Sequence, residues 1–132
     1  MIRGIRGATT VEVNQRDAIL DATEELLRAM AEANAVAPEA MASIVFTMTP
    51  DLNAAFPAEA ARRLGWKYVP VMCMSEIGVP GALPRTIRVL MQAETERSQR
   101  EVCHIYLRGA HVLRPDLDLP EWNAKRHESS AS

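Results

Sequence analysis

Two arginines, a tyrosine and a glutamate occupy positions that strand-forming sequence alone does not explain. Arg88 lies inside Ile87-Arg88-Val89-Leu90-Met91, a run that otherwise reads as a buried strand. A guanidinium between such neighbours is costly to bury unless an anion meets it, and that anion is either a protein carboxylate or a ligand. Glu76 stands where another apolar run, Val69 to Met74, gives out. Arg6 sits in IRGIRGATTV, where period two places Ile2, Gly4, Arg6 and Ala8 on one face and Arg3 and Ile5 on the other. Its neighbours on that face are small, which leaves room for a partner; a solvated edge-strand arginine is the alternative. Tyr106 is opposite in parity to Cys103, Ile105 and Leu107. Three strands thus each present one large polar group opposite an apolar face. Two cations, a hydroxyl and a carboxylate suit recognition of a small dianion. They form no metal cage, nucleophile–base pair or carboxylate dyad.

Other chemistries find less support. Cys73 could be a nucleophile, but no histidine is placed to activate it, so a buried thiol or hydrogen-bond partner is the better reading. Cys73 and Cys103 both fall in apolar strand-like runs, a usage that suits a reducing compartment and predicts a cytoplasmic protein. His104, His111 and His127 are scattered without metal-ligand spacing, and no Gly-rich phosphate loop precedes a helix, so neither metal nor cofactor is expected. The chain carries a net charge of −2, which argues against non-specific nucleic-acid binding. No apolar run reaches the ~18 residues a membrane span needs. The opening MIRGIRGATTV also lacks the apolar core of a signal peptide.

The elements that must position these groups follow from periodicity. Residues 2–11 read as a strand in which Gly4 and Gly7 suggest a bulge or a close backbone approach. Asn14 is a candidate N-cap for a helix whose apolar stripe runs Ile19, Leu20, Leu26, Leu27, Met30, Ala33, with Asn34 as a left-handed stop. A strand over 42–48 follows, then a short helix from Pro57 to Leu64 with Gly65 at C′. Phe56 precedes that helix as a staple or an exposed anchor. Arg62 lies in its last turn, where dipole pairing plus solvation would explain it. Strands over 69–74, 85–93, 102–107 and 110–113 complete the pattern. The fold class is α+β: a mixed sheet with one long covering helix and a short helix. Residues 1–119 are expected to form a single domain, and residues 120–132 a flexible polar tail.

Five blocks in order resemble the small trimeric chorismate mutases, as distinct from the all-helical class. They are MIRGIRGATTVE, TPDLNAAFPAEAAR, GWKYVPVMCMSEI, the IRV around Arg88, and HIYLRGAHVLRPDL, together spanning Met1 to about Leu117. The resemblance implies conversion of chorismate to prephenate by a Claisen rearrangement, without a cofactor. It also implies a homotrimeric pseudo-α/β barrel with active sites between subunits. By motif match Arg88 would face the ether oxygen, Arg6 would bind a substrate carboxylate with Tyr106 in support, and Glu76 would accept the ring hydroxyl beside Cys73 and Met74. Phe56, Ala58 and Arg62 match a segment contributed by a neighbouring subunit, while Leu113 and Arg114 match the site-facing end before the tail. Glu59 and Met72 depart from residues some members carry. A trimeric imine or enamine deaminase, similar in architecture, and a non-catalytic metabolite sensor are the competing readings.

Overall fold

The computed structural model describes residues 1–114. Its centre is a five-stranded sheet: β1 (Ile2–Thr10), β2 (Met41–Met48), β3 (Val71–Ser75), β4 (Thr86–Glu94) and β5 (Ile105–Tyr106), in the order β3-β2-β4-β1-β5. β4 runs antiparallel to both β1 and β2, whereas β2/β3 and β1/β5 are parallel pairs, so the sheet is mixed. Two helices, α1 (Arg16–Ala33) and α2 (Glu59–Arg63), lie on one face. Alternation decides what meets them. Ile5, Ile44, Phe46, Val89 and Met91 point into a core shared with Leu20, Leu26, Leu27 and Met30 of α1 and with Ala60 and Ala61 of α2.

Gly7 marks the close approach anticipated for it. A Cβ there would lie 2.4 Å from Met30 Sδ and 3.1 Å from Leu26 Cδ1, so α1 packs directly on the β1 backbone. Gly4 plays no such part: a Cβ would sit 3.5 Å from Leu90 Cδ1, an ordinary contact. Neither glycine makes a bulge, because the β1/β4 register runs unbroken; the irregularity in the sheet lies at Met41/Ser43 of β2.

Several boundaries differ from the sequence expectation, each for a physical reason. Gln15, not Asn14, is the N-cap of α1; Asn14 Oδ1 instead accepts from the N–H groups of Asn53 and Ala54. Asn34 is not left-handed (φ −107°); Ala35 takes that conformation. The Asn34 side chain has another use, accepting from Cys103 N–H and donating to Cys103 C=O. That bidentate contact takes the backbone groups a neighbouring strand would need, so 102–104 is irregular and β5 shrinks to two residues. The strand expected over 110–113 is a 3-10 turn, Arg108–Leu113, which folds the chain back over β1. The short helix is regular only over Glu59–Arg63, with Gly65 at C′ in the left-handed region (φ 81°) as expected.

Candidate active site

The face of the sheet away from the helices carries the polar groups. Register places Met74 opposite Thr47, Thr47 opposite Arg88, Arg88 opposite Ala8, and Ala8 opposite Tyr106. Paired residues share a face, so these five side chains form one row across all five strands. Ala8 is the small member, fully buried between Arg88 and Tyr106 in a cluster with Tyr106 and Ala110. Arg6 lies two residues along β1 from Ala8, opposite Leu90, in the adjacent row of the same face.

Glu76 follows β3 directly, with its backbone N–H bonded to Met48 C=O. Its Oε1 accepts a 2.6 Å hydrogen bond from Thr47 Oγ1 and lies 3.0 Å from Arg88 Nε. The Arg88 contact is an ion pair rather than a hydrogen bond. Nε is buried, and its N–H is not aligned on any acceptor among the described residues. Oε1 thus meets one hydroxyl donor and one cation, and Oε2 is the atom left to take a further donor. Arg88 is 35% exposed and Glu76 only 13%. The Tyr106 hydroxyl is in the same condition as Arg88 Nε: the residue is 2% exposed and its oxygen has no partner among the described residues. The Tyr106 hydroxyl is the costlier of the two for an empty fold, at about 1–3 kcal/mol, because Arg88 Nε keeps its ion pair with Glu76.

An open cleft of about 520 Å³ lies over the Thr47–Arg88 part of this row. Thr47, Ser75, Glu76 and Arg88 supply its polar wall, and Ile77, Val79 and Ala82 of the following loop its apolar one. That loop is anchored at its far end. Arg85 adopts a left-handed backbone (φ 47°), held by Asp51 Oδ2, which accepts from Arg85 N–H at 2.9 Å. Arg85 Nε donates to Val11 C=O at 3.0 Å. Burial works to raise the Asp51 carboxyl, but its hydrogen bonds from Thr49 and Arg85 outweigh burial and hold it below the usual carboxylate range.

Of the residues anticipated from sequence, the fold brings Arg88, Glu76, Met74, Tyr106 and Arg6 to this face. Leu113 joins them through the 3-10 turn, packing with Ala8, Tyr106 and Ala110. Cys73 points the other way. It pairs with Phe46 and packs against the helix-covered core, near the Ala58 backbone. Burial pushes its thiol up, so Cys73 is a neutral thiol at neutral pH. Ala58 packs against that same core, and Phe56 and Arg62 belong to the same α2 segment; this segment is separated from Arg88 by the sheet. Phe56 is nonetheless 67% exposed. Thr47 escapes a reading of the sequence, because a threonine in IVFTM is simply a strand former. Among the described residues no cluster of His, Cys, Asp and Glu could hold a metal, and no helix is long and apolar enough to cross a membrane.

With this geometry in view, comparison with known proteins is specific. The profile of the family described as chorismate mutase type I matches residues 2–117. A chorismate mutase, AroH, of Bacillus subtilis is 50% identical over 120 residues, covering 90% of this chain and 94% of its own. Its namesake in Thermus thermophilus is 53% identical over 119 residues, covering 89% and 98%. Among solved structures, a chorismate mutase from Clostridium thermocellum superposes with a TM-score of 0.82 at 49% identity, covering 83% of this chain and 98% of that one.

Proposed function

The chain belongs to the type I chorismate mutases, and from that premise we propose that it converts chorismate to prephenate in phenylalanine and tyrosine biosynthesis. The observation that carries the mechanism is Arg88. Its guanidinium is fixed on a central strand, with a buried Nε that no aligned acceptor satisfies.

A Claisen rearrangement breaks a C–O bond and forms a C–C bond in one cyclic flow of electrons. It needs no general acid, base or nucleophile. It needs a flexible substrate folded into its compact reactive shape. It also needs positive charge where the ether oxygen gains electron density. Arg88 supplies that charge without reorganising, because its strand is held on both sides by antiparallel ladders. Glu76 Oε2 accepts the ring hydroxyl, while Thr47 and Arg88 hold the other carboxylate oxygen. Arg6 takes a substrate carboxylate, and the Tyr106 hydroxyl, unpartnered among the described residues, donates at the same end. Cys73 contributes through its backbone, its side chain being turned to the core, and Met74 and Leu113 border the substrate. No cofactor is required.

The working unit on this reading is a homotrimer. The open face exposes Met72, Met74 and Leu90, and the cleft loop exposes Ile77 and Val79, an apolar surface that a single chain leaves in water. Phe56, Ala58 and Arg62 are across the sheet from their own Arg88, so they serve a cleft only if they serve a neighbour's. We assign the protein to the cytoplasm, where its two free thiols stay reduced. Purified protein mixed with chorismate and no additive should deplete chorismate and yield prephenate. Absence of prephenate would contradict the assignment.

A further inference from the structure

His104 sits where the pairing of β5 with β1 begins. The ladder comprises only Gly7 with Ile105 and Ala8 with Tyr106. The N–H of Arg6, one residue earlier, meets no strand carbonyl. Instead it donates to His104 Nδ1 at 3.0 Å, so an imidazole completes the ladder. An imidazole that accepts at Nδ1 is neutral and carries its proton on Nε2. The imidazolium has no lone pair to offer, and the bond would be lost on protonation. The charged groups facing His104 are Arg6 of β1 and Arg114, just past the 3-10 turn. Burial first, then these two cations, holds the imidazole below its ordinary value of 6.5 and keeps the acceptor in place at neutral pH.

We propose that His104 is a positioning residue for Arg6, its neutral imidazole fixing the backbone from which the Arg6 guanidinium reaches a substrate carboxylate. The inference rests on the substrate-binding role given to Arg6 above. Protonation of His104 releases that anchor. Arg88 and Glu76 are held by β2, β3 and β4, not by β5, so the chemical step is touched less than binding. A third cation beside Arg6 and Arg114 would by itself draw a dianion in, an effect of opposite sign. The direction of the change therefore separates an anchoring role from a mere contribution of charge.

The test is to measure KM and kcat for chorismate between about pH 5 and 8 on the wild-type enzyme, His104→Asn and His104→Leu, together with hydrogen-exchange protection of the Arg6 amide by NMR. Asn Oδ1 takes the place of Nδ1 and does not titrate. Wild-type KM should rise about three- to tenfold in acid, as loss of one hydrogen bond implies, with kcat much less affected. His104→Asn should keep the low KM throughout, and His104→Leu should show the raised KM at every pH. The Arg6 amide should exchange faster in His104→Leu and in acidified wild type, but not in His104→Asn. Should His104→Leu fail to fold, wild type against His104→Asn carries the same comparison. Unchanged Arg6 protection on titrating His104, or a KM that falls in acid, would overturn the proposal. A loosened Arg6 amide with a level KM would overturn the substrate role of Arg6 instead, and an enzyme inert at every pH would overturn the rearrangement.

Discussion

Arg88 stands out in the amino-acid sequence itself, because a cation amid Ile87, Val89, Leu90 and Met91 has few reasons to be there. Parity also separates Tyr106 from Ile105 and Leu107, and both the Arg88 and Tyr106 side chains lie on the face away from the helices, Tyr106 beneath the 3-10 turn. Thr47 shows what pattern cannot reveal: its hydroxyl matters only because folding brings Glu76 within 2.6 Å. Without that donor the carboxylate can swing, so Thr47→Val should lower kcat about three- to tenfold, as loss of one hydrogen bond predicts, while Thr47→Ser restores it. Equal loss in both variants would point to packing rather than the hydroxyl. The pH dependence belongs to this scale too. With no proton transfer in the mechanism, kcat should stay nearly flat between about pH 6 and 9. Burial holds Cys73 above its usual range, and burial with two cations holds His104 below its own, so neither titrates steeply across neutrality. A bell centred near pH 7 would expose a general base that this mechanism lacks.

At the scale of elements, hydrophobic period locates the long helix and the four longer strands, but pairing and tight packing are not written in it. Gly7 could be a bulge or a contact point, and only the position of Met30 decides between them. Gly7→Val should force α1 off β1 and destabilise the fold by about 1–3 kcal/mol or more, the range for overpacking. Activity should fall along with it, since the same strand carries Arg6 and Ala8. Thermal unfolding measures the first effect, and an unshifted Tm would contradict the close packing. The 102–113 segment misleads for a specific reason. Its residues have strand composition, but Asn34 takes the Cys103 backbone and His104 takes the Arg6 N–H, so side chains do the bonding that a longer ladder would have done. Asp51 does similar work at the loop, and Asp51→Ala should cost about 1 kcal/mol and loosen the cleft wall. Its lowered carboxyl means that this contribution is present above about pH 4, near the unfolded value, and fades as pH falls through the depressed folded one. Urea unfolding of wild type and variant at neutral and acid pH should show the gap closing in acid; a gap that persists would place the effect elsewhere.

For the whole molecule, the helices cover one face of the sheet and the 3-10 turn covers the Ala8–Tyr106 end of the other, whose β3-β2-β4 part stays open and holds Arg88 with exposed Met72, Met74 and Leu90. A second copy is the partner that the proposed trimer sets against it. Leu90→Glu should leave each chain folded, because Leu90 lies outside the core, yet yield a smaller species in sedimentation with little turnover. A variant that sediments as wild type would argue that the open face is not the interface. The proposed trimer is not legible in periodicity, since alternation shows only that one face is less buried and says nothing of what covers it; the proposal of a second copy there comes from the family resemblance. What remains central is the charge at position 88. The most direct measurement is kcat of Arg88→Ala at saturating chorismate, with binding of a dicarboxylate inhibitor measured alongside. Loss of a fixed donor at a developing negative charge predicts a fall of about 10²–10³-fold or more, with Arg88→Lys a poor substitute for the planar fork. A kcat within tenfold of wild type, in a variant that still binds the inhibitor, would contradict electrostatic stabilisation by this guanidinium.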